Sequence, residues 1–300
     1  MTNYKSIHTQ VDIHKEITDK IITLLDQVNI NDYQPPFASL VAQGLPVNPT
    51  TQNHYQGINI LSLWFNQQTK KYPSNQWATF KQWQDVGAQV RKGEKGSRII
   101  FYKALLKSEE NASGEQEEKE IPMLRQFTVF NASQVDGYED EKAVTLPKSD
   151  KVNKIQLIEQ FCRSTKADIR TNEDRAYYHR VNDFINMPDT SVFIDTPKIS
   201  ATENYYATLL HELTHWTGAK HRLNRPGISG EVRKQDYAFE ELIAEIGSAF
   251  LCAKFNIHQT MPENHATYIK SWLNSLKNDK TYIFKASAQA AKAVDFLDVR

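Results

Sequence analysis

The segment TLLHELTHWTGAKH, in the second half of this chain, constrains the fold more than any other part of the sequence. Ser200 and Glu203 match the pattern of a capping box, which predicts a helix that begins there and ends near Gly218. His211 and His215 lie four residues apart in this helix, so both imidazoles leave the same face and can bind one metal ion. A site of this kind needs a third protein ligand, which must come from another part of the chain.

Glu212 directly follows the first of these histidines, and the resulting pattern His-Glu-x-x-His is typical of zinc peptidases. In such sites zinc lowers the pKa of a water molecule to roughly 7. The glutamate takes the proton from this water and passes it to the leaving amine. The pattern therefore predicts Zn²⁺ as the cofactor, His211 and His215 as ligands and Glu212 as the general base.

Two different residues can complete the ligand set. His221 extends the motif to His-Glu-x-x-His-x-x-Gly-x-x-His, which is the pattern of metzincins. Glu241 lies on a second predicted helix, YAFEELIAEIGSAFLCAKF, and such a returning helix is the arrangement found in gluzincins. We favour Glu241, because the sequence after His221 does not resemble the rest of a metzincin. Glu240 is a further candidate ligand.

The spacing of Glu241 and Glu245 favours separate roles for the two carboxylates. They lie one turn apart, and like charges at this spacing cost an isolated helix roughly 0.2–0.5 kcal/mol. If Glu241 binds zinc, Glu245 can accept the free ring N–H of a ligand histidine. The alternative is that both carboxylates form the solvated edge of an amphipathic helix.

Further side chains of the second half are candidates for contacting a peptide substrate. An edge strand near the helix can hold a peptide by main-chain pairing, and a tyrosine or histidine nearby can stabilise an oxyanion. Ordinary packing is the alternative for each of them. These candidates are Tyr177, Tyr178, His179, His265 and Tyr268.

The first half of the chain is rich in cations and aromatic rings, although the formal net charge of the whole chain is +0. From Tyr55 to Lys107 there are nine Lys and Arg residues, two Asp and Glu residues, and nine aromatic residues. This mixture suits single-stranded DNA, because cations follow phosphates and rings stack on unpaired bases. The residues that we predict to contact DNA are Tyr55, Trp77, Lys81, Arg91, Lys92, Lys95 and Arg98.

Hydrophobic periodicity predicts an α+β protein of two domains, residues 1–148 and residues 149–300. The first domain is mixed α and β, with an amphipathic helix over 9–29 and a strand, tight turn and strand over QVRKGEKGSRIIFYKAL. The acidic segment SEENASGEQEEKE that follows predicts a solvated loop. The second domain is mostly helical with a small sheet, to which we assign YYHRVNDFINMP and SVFIDTP.

Several segments of this chain resemble the ArdC-type antirestriction proteins of conjugative plasmids. The resemblance covers most of residues 9–298 and lies in GINILSLW, WATFKQWQDVGAQVRKGEKGSRIIFYK, DRAYYHRVNDFINMP, YYATLLHELTHWTG with the following RLNR, and YAFEELIAEIGSAFL. Members of that family pair an N-terminal single-stranded-DNA-binding domain with a C-terminal zinc-metallopeptidase-like domain, and they are associated with protecting incoming DNA from host restriction. The resemblance implies the same two domains here, with a gluzincin-like site, and it disfavours His221 as a ligand.

Two other functions fit the same sequence. One is a DNA-coating protein whose zinc site is purely structural, and the other is a zinc peptidase whose first half recognises a protein. The partners implied by the favoured interpretation are single-stranded DNA and an unidentified protein substrate. We expect a cytoplasmic protein with no membrane helix and with free thiols at Cys162 and Cys252, because no apolar run could span a membrane and the N-terminus is polar.

Overall fold

The computed structural model forms two compact units, one of residues 45–145 and one of residues 1–44 together with 146–300. The predicted domain boundary near residue 148 lies outside the described residues. The division differs from our prediction at the N-terminus, because residues 1–44 join the second unit. The described residues are 12–26, 37–110, 116–139, 151–196, 199–230, 233–259 and 266–298.

Helices dominate the second unit, whereas strands and short helices make up the first. In chain order the helices are α1 (Ile13–Asp26), α2 (Ala38–Val41), α3 (Ile58–Lys70), α4 (Phe80–Asp85), α5 (Lys151–Ser164), α6 (Ala201–Trp216), α7 (Lys234–Phe255), α8 (Ala266–Asn278) and α9 (Tyr282–Asp298). The strands are β1 (Trp77–Thr79), β2 (Gln89–Val90), β3 (Ser97–Glu110), β4 (Gln116–Asn131), β5 (Val135–Asp136), β6 (Asp168–Arg170), β7 (Tyr177–His179) and β8 (Phe184–Asn186). In the described part of the chain, no helix combines the length and the apolar character needed to cross a membrane.

The unit of residues 45–145 contains an antiparallel sheet in the order β1-β4-β3 and a separate antiparallel pair, β2-β5. Strands β3 and β4 form a long hairpin that continues into the acidic segment, where Glu109 lies opposite Glu117. Our prediction of a loop is therefore wrong for the described part of this segment, because backbone pairing extends past the apolar part of both strands. Residues 111–115 lie outside the described range.

The predicted hairpin over QVRKGEKGSRII is also wrong. Strand β2 pairs with β5 while β3 pairs with β4, so the two predicted hairpin strands belong to different sheets. Arg91 ties β2 to β5, because its guanidinium donates to the Val135 carbonyl at 3.1 Å and its backbone N–H donates to the Gln134 carbonyl at 3.0 Å. The glycines of this segment therefore serve a connection between sheets.

Three tryptophans build the core of this unit. Trp64, Trp77 and Trp83 are fully buried, and the Trp83 indole donates a hydrogen bond to the Phe130 carbonyl at 3.0 Å. Helical spacing predicts burial for Trp64, Trp83 and Phe80, but Phe80 is 42% exposed. Burial of the indoles stabilises the unit by removing large apolar surfaces from water.

The second unit combines helices α5 to α9 with a small sheet in the order β6-β8-β7, in which β6 runs parallel to β8. Helix α1 joins this unit by burying its apolar face, and the Thr18 hydroxyl donates to the Lys280 carbonyl at 2.9 Å. The segment SVFIDTP is not a strand as predicted, because the Asp189 side chain accepts the Ser191 N–H and caps a short 3₁₀ turn there. The sequence pattern predicts helices over KIQLIEQFCRST and over about 201–217, 236–255, 263–277 and 281–298, and helices α5 to α9 lie in these segments.

Helices α6 and α7 pack closely, and this packing sets the separation of the candidate ligands. The capping box of Ser200 and Glu203 begins α6 as predicted. Gly247 of α7 faces Thr214 of α6, and a Cβ atom on Gly247 would lie 2.6 Å from the Thr214 Cγ2. The missing side chain at Gly247 therefore lets the two helices approach each other next to His215.

Replacing Gly247 by alanine is expected to destabilise the protein by about 1–3 kcal/mol, because the new methyl overlaps Thr214 and overpacks the helix contact. Alanine has a higher helix propensity than glycine by about 1 kcal/mol, and this gain is smaller than the upper part of the expected loss. Urea unfolding measures the loss. Adding Thr214→Ala removes the overlapping atoms, so the double variant should recover most of the stability. An equal loss in the single and double variants would show that Thr214 is not the obstacle.

Candidate metal centre

His211, His215 and Glu241 come together where α6 crosses α7. The Nε2 atoms of the two histidines lie 3.1 Å apart. Glu241 Oε2 lies 3.7 Å from His211 Nε2, and Glu241 Oε1 lies 3.6 Å from His215 Nε2. All three side chains are buried. The helix spacing and the second helix therefore bring together the three residues that we favoured as ligands.

The donor set fits a zinc ion. Two imidazole nitrogens and one carboxylate oxygen form the ligand set of catalytic zinc sites, which keep the fourth position open. In a tetrahedral site with ligand distances of ~2.0–2.1 Å, the donor atoms lie ~3.3 Å from each other. The observed separations of 3.1, 3.6 and 3.7 Å lie around this value. The three side chains can therefore converge on one ion with only small movements.

A buried ion pair lies behind His215. The Nδ1 atom of His215 lies 3.2 Å from Glu240 Oε1, so Glu240 faces away from the shared ligand position. The Arg225 guanidinium donates to both oxygens of Glu240, at 2.6 and 2.8 Å. Burial alone would raise the pKa of Glu240, but Arg225 and His215 hold it below its usual range. Glu240 thus lies at the Nδ1 side of the His215 ring, away from the position that His211, His215 and Glu241 share.

Glu245, which we predicted as the partner of a ligand histidine, lies near His211. Glu245 Oε1 lies 3.8 Å from His211 Nδ1, on the side of the ring away from His215. The Gln259 amide donates to the Glu245 side chain at 3.1 Å and to the Glu245 carbonyl at 2.9 Å. Each histidine therefore has its own buried carboxylate, and both carboxylates come from α7.

The electrostatics of the cluster favour a positive charge at its centre. Burial would lower the pKa of His215, but the carboxylates of Glu241, Glu240 and Glu212 raise it to about 10. Glu212 is 4% exposed, does not belong to the ligand cluster, and lies close enough to act on His215 by its charge. A divalent cation would compensate the same carboxylates, so the field is suited to a metal ion.

Tyr237 is a further member of the site that sequence reasoning missed. Its hydroxyl lies close enough to the Glu241 carboxylate for that group to raise the pKa of the phenol, and its ring lies parallel to that of His215 with 6.4 Å between centroids. Burial and the Glu241 charge raise the pKa of this tyrosine, so the phenol keeps its proton at neutral pH. Its position at the start of α7, one turn before Glu241, was the signal that could have identified it.

His221, the alternative third ligand, lies outside this cluster. Its side chain is 63% exposed, and its Nε2 atom lies 3.1 Å from Asp183 Oδ2. The end of α6 turns away before residue 221, because the chain leaves the helix at Thr217 and forms turns held by the Leu223 N–H bond to the Thr217 carbonyl. The geometry therefore agrees with the gluzincin arrangement.

Known proteins share both halves of this architecture. Residues 156–289 match the model of a zincin-like metallopeptidase, and residues 11–130 match that of the N-terminal domain of the anti-restriction factor ArdC. The metal-free crystal structure of the antirestriction protein ArdC from plasmid R388 is 38% identical, with a TM-score of 0.74, over 96% of this chain and 97% of that one. This chain belongs to the ArdC antirestriction family.

Other relatives of this ArdC family member extend the comparison. The Mn(II)-bound structure of the R388 ArdC protein has the same identity of 38% and a TM-score of 0.73, again over 96% of this chain and 97% of that chain. The uncharacterised protein y4eC of Sinorhizobium fredii is 37% identical over 99% of this chain and 95% of its own length. The DNA primase TraC of Escherichia coli is 33% identical over 95% of this chain, which spans 27% of TraC.

The predicted DNA-contacting residues of this ArdC family member divide into two groups. Tyr55 and Trp77 are buried, and the Tyr55 hydroxyl donates to the Trp77 carbonyl at 2.8 Å, so our expectation of accessible rings is wrong. Both side chains instead anchor β1 in the core. The cations are accessible: Lys81, Lys92 and Lys95 are exposed, Arg98 is half-buried, and Arg91 is exposed but paired with Glu94 and Asp136.

Exposed aromatic rings do occur in the same unit, at positions that the sequence pattern did not single out. Phe101 and Phe127 are 50% and 41% exposed and form an edge-to-face pair with 5.5 Å between centroids. Phe80 forms a similar pair with the partly buried Phe130 at 6.5 Å. The same aromatic residue types occur in the core and at the surface of this unit. Strand pairing decides which rings are accessible, and the sequence did not predict that pairing.

Most of the candidate substrate contacts in the second half serve packing. The Tyr178 hydroxyl donates to Asp183 at 2.8 Å, His179 stacks on Phe184 at 4.8 Å between centroids, and Tyr177 bonds Glu173. Tyr268 differs, because its ring lies 5.9 Å from that of Tyr237 and the Glu241 charge together with burial raises the pKa of its hydroxyl. His265 lies outside the described residues.

Proposed function

We propose that this ArdC family member is an antirestriction protein with a zinc-dependent peptidase site in its second half and a single-stranded-DNA-binding surface in its first. The observation that carries the proposal is the convergence of His211, His215 and Glu241, with Glu212 beside them and outside the ligand set. Two imidazoles, one carboxylate and a free glutamate are the parts that metal-dependent peptide hydrolysis requires.

Each protein group has a distinct part in the proposed reaction. His211, His215 and Glu241 would hold the ion, and a bound Zn²⁺ would polarise a peptide carbonyl and lower the pKa of a water molecule to about 7. Glu212 accepts the proton of the attacking water on its carboxylate and delivers it to the leaving amine. Tyr237 orients the Glu241 carboxylate through its hydroxyl, because its raised pKa keeps it a hydrogen-bond donor.

Metal removal tests the peptidase proposal. The full-length protein, stripped with a chelator, would be incubated with a library of denatured bacterial peptides, and cleavage would be read by mass spectrometry. We expect no cleavage by the stripped protein and restored cleavage after addition of Zn²⁺, with Mn²⁺ tested in parallel. Failure of every added metal to restore cleavage of any peptide would contradict the peptidase assignment.

The burial of the ligands favours a second candidate function. His211, His215 and Glu241 are 1%, 5% and 2% exposed, as expected for a metal site that supports the fold. In that case the protein would coat DNA without turnover. Stoichiometric zinc, loss of stability on its removal and no peptide cleavage would together identify this function.

Binding of single-stranded DNA is proposed for the exposed cations of residues 45–145. The triple variant Lys81→Ala, Lys92→Ala and Lys95→Ala is expected to bind a fluorescently labelled single-stranded oligonucleotide more weakly. The slope of log K against log salt concentration should become shallower by ~2, since each lost phosphate contact on a single strand contributes about 0.7. Fluorescence anisotropy across a salt series gives both quantities. The control is a triple alanine variant of Lys270, Lys277 and Lys292, which are exposed on α8 and α9.

The two variants separate specific contacts from general charge. Both lose three positive charges, so a uniform electrostatic attraction would weaken both equally. If the control variant loses as much affinity as the first, the predicted surface is not the DNA site. If the wild-type protein shows no salt-sensitive binding at all, the first half is better explained by recognition of a protein.

A further inference from the structure

We infer that Arg225 is a positioning residue of the metal centre, which acts on the ligand His215 through Glu240. This inference rests on the proposed function, because it concerns the same metal site. It adds a residue from the loop after α6 that belongs neither to the His-Glu-x-x-His motif nor to the second ligand helix.

The contacts form a continuous chain from the loop to the ligand. Arg225 Nε and Nη2 donate to the two oxygens of Glu240 at 2.8 and 2.6 Å, and Glu240 Oε1 lies 3.2 Å from His215 Nδ1. Two further guanidinium hydrogens are also used: Nη1 donates to the Thr217 hydroxyl at 2.7 Å, and Nη2 donates to the Thr214 carbonyl at 2.6 Å. Arg225 is therefore fixed at three points around Glu240.

Gly218 makes room for this arrangement. We predicted that α6 ends near this glycine, but Gly218 does not adopt the positive φ that is common in a glycine cap. A Cβ atom at this position would lie 2.8 Å from Arg225 Nη2 and 2.8 Å from Ile228 Cγ1. Glycine is thus required here because the Arg225 guanidinium approaches the helix end closely, and not because the backbone needs a left-handed residue to end the helix.

Stability alone does not account for a buried pair of this kind. Arg225 and Glu240 have side-chain exposures of 2% and 0%, and removing both charges from water costs about as much as their attraction returns. An apolar pair of similar volume would serve packing as well. What the ion pair provides is a carboxylate with both oxygens fixed, aimed at one ring nitrogen of a ligand.

The position of the Glu240 carboxylate determines which ring nitrogen of His215 would face the metal. A carboxylate at Nδ1 holds the ring proton there, so the Nε2 lone pair of His215 points to the shared ligand position. On the other side of the centre, the carboxylate of Glu245 is held by the neutral amide of Gln259. The bidentate guanidinium therefore makes the His215 side the more rigid of the two, because a forked donor fixes both oxygens of its partner.

The test is zinc affinity in the full-length protein, measured by competition with a coloured chelator. Arg225→Lys keeps the charge and loses the fork, and we expect zinc binding to weaken about 10- to 100-fold, the range for losing an outer partner of a metal ligand. The Co²⁺ absorption spectrum should change as well, because the His215 ring is less well oriented. The stability of the metal-free protein would be measured in urea alongside.

Arg222→Lys is the matched control. The Arg222 side chain is 4% exposed, donates to Asp183 at 3.0 Å through Nη1 and to the Trp216 carbonyl through Nε, and also anchors the segment after α6. Unlike Arg225, it binds no carboxylate that lies at the His215 ring. A purely structural role for Arg225 predicts that both variants lose stability and keep the wild-type zinc affinity, and that result would overturn the inference.

A second variant covers the case in which Arg225→Lys does not fold. Arg225→Met combined with Glu240→Gln leaves no unpaired buried charge and is expected to fold, yet to bind zinc about 10- to 100-fold more weakly. Wild-type affinity in this double variant also overturns the inference. If the wild-type protein itself binds no zinc, the proposed function fails with it, which distinguishes the two outcomes.

Discussion

Glu212→Gln is expected to abolish peptide cleavage while the protein keeps its zinc. Glu212 lies outside the ligand cluster, so its replacement leaves His211, His215 and Glu241 in place. Glutamine has nearly the same shape but cannot accept and return a proton, and a general base contributes about 10²- to 10⁴-fold to the rate. Cleavage of the bacterial peptide library would be compared between the variant and the wild-type protein, with bound zinc measured in the same preparations.

The control for this experiment is a variant of the histidine that extends the motif but lies outside the cluster. His221→Ala alters the exposed histidine that lies outside the cluster, so it should keep both zinc and cleavage. Full cleavage by Glu212→Gln would show that another group carries the proton. Loss of zinc from Glu212→Gln would instead indicate that this buried carboxylate supports the fold of the centre.

The convergence of the three candidate ligands could be predicted because helices translate sequence spacing directly into geometry. His211 and His215 share a face because they are four residues apart, and the capping box at Ser200 fixes where that helix begins. The prediction of Glu241 required a further assumption, namely that a second helix returns to the face of the first helix that carries His211 and His215. The gluzincin resemblance supplied that assumption, and the structure places Glu241 accordingly.

Arg225 could not be predicted in this way. It lies in a loop without periodicity, and its hydrogen bonds to Thr214, Thr217 and Glu240 depend on how turns after α6 fold back. The sequence contains the arginine within RLNR, but nothing in the spacing distinguishes it from Arg222, three residues earlier. The side chains of both arginines are buried, and only the three-dimensional structure shows that Arg225 is the one that binds Glu240.

The errors in the first half have a common origin. Local patterns identify strands but not their partners, so β2 and β3 were joined into a hairpin although they pair with β5 and β4. The burial of Tyr55 and Trp77 follows from the same pairing, since β1 lies against β4 and turns Trp77 into the core. Aromatic residues near cations therefore indicated DNA contact where the sheet instead uses them for packing.

Glu241→Ala is expected to remove zinc, with an affinity loss of more than about 100-fold, the upper value for loss of a mere partner of a ligand. Two imidazoles alone leave the ion without the charged donor that balances it. His221→Ala is the comparison, because metzincin geometry would make it the damaging variant and Glu241→Ala the tolerated one. Zinc content after dialysis, followed by chelator competition, measures both.

The same experiment distinguishes a ligand role of Glu241 from a role in folding. Glu241 is 2% exposed and lies close to Tyr237, so a loss of zinc confined to Glu241→Ala, with the metal-free protein still folded, would assign it as a ligand. Tyr237→Phe is a milder change at the same position of the site. It removes the hydroxyl beside Glu241 and keeps the ring next to His215. We expect a loss of zinc affinity intermediate between wild type and Glu241→Ala, because the ligand is retained while its orientation is less constrained.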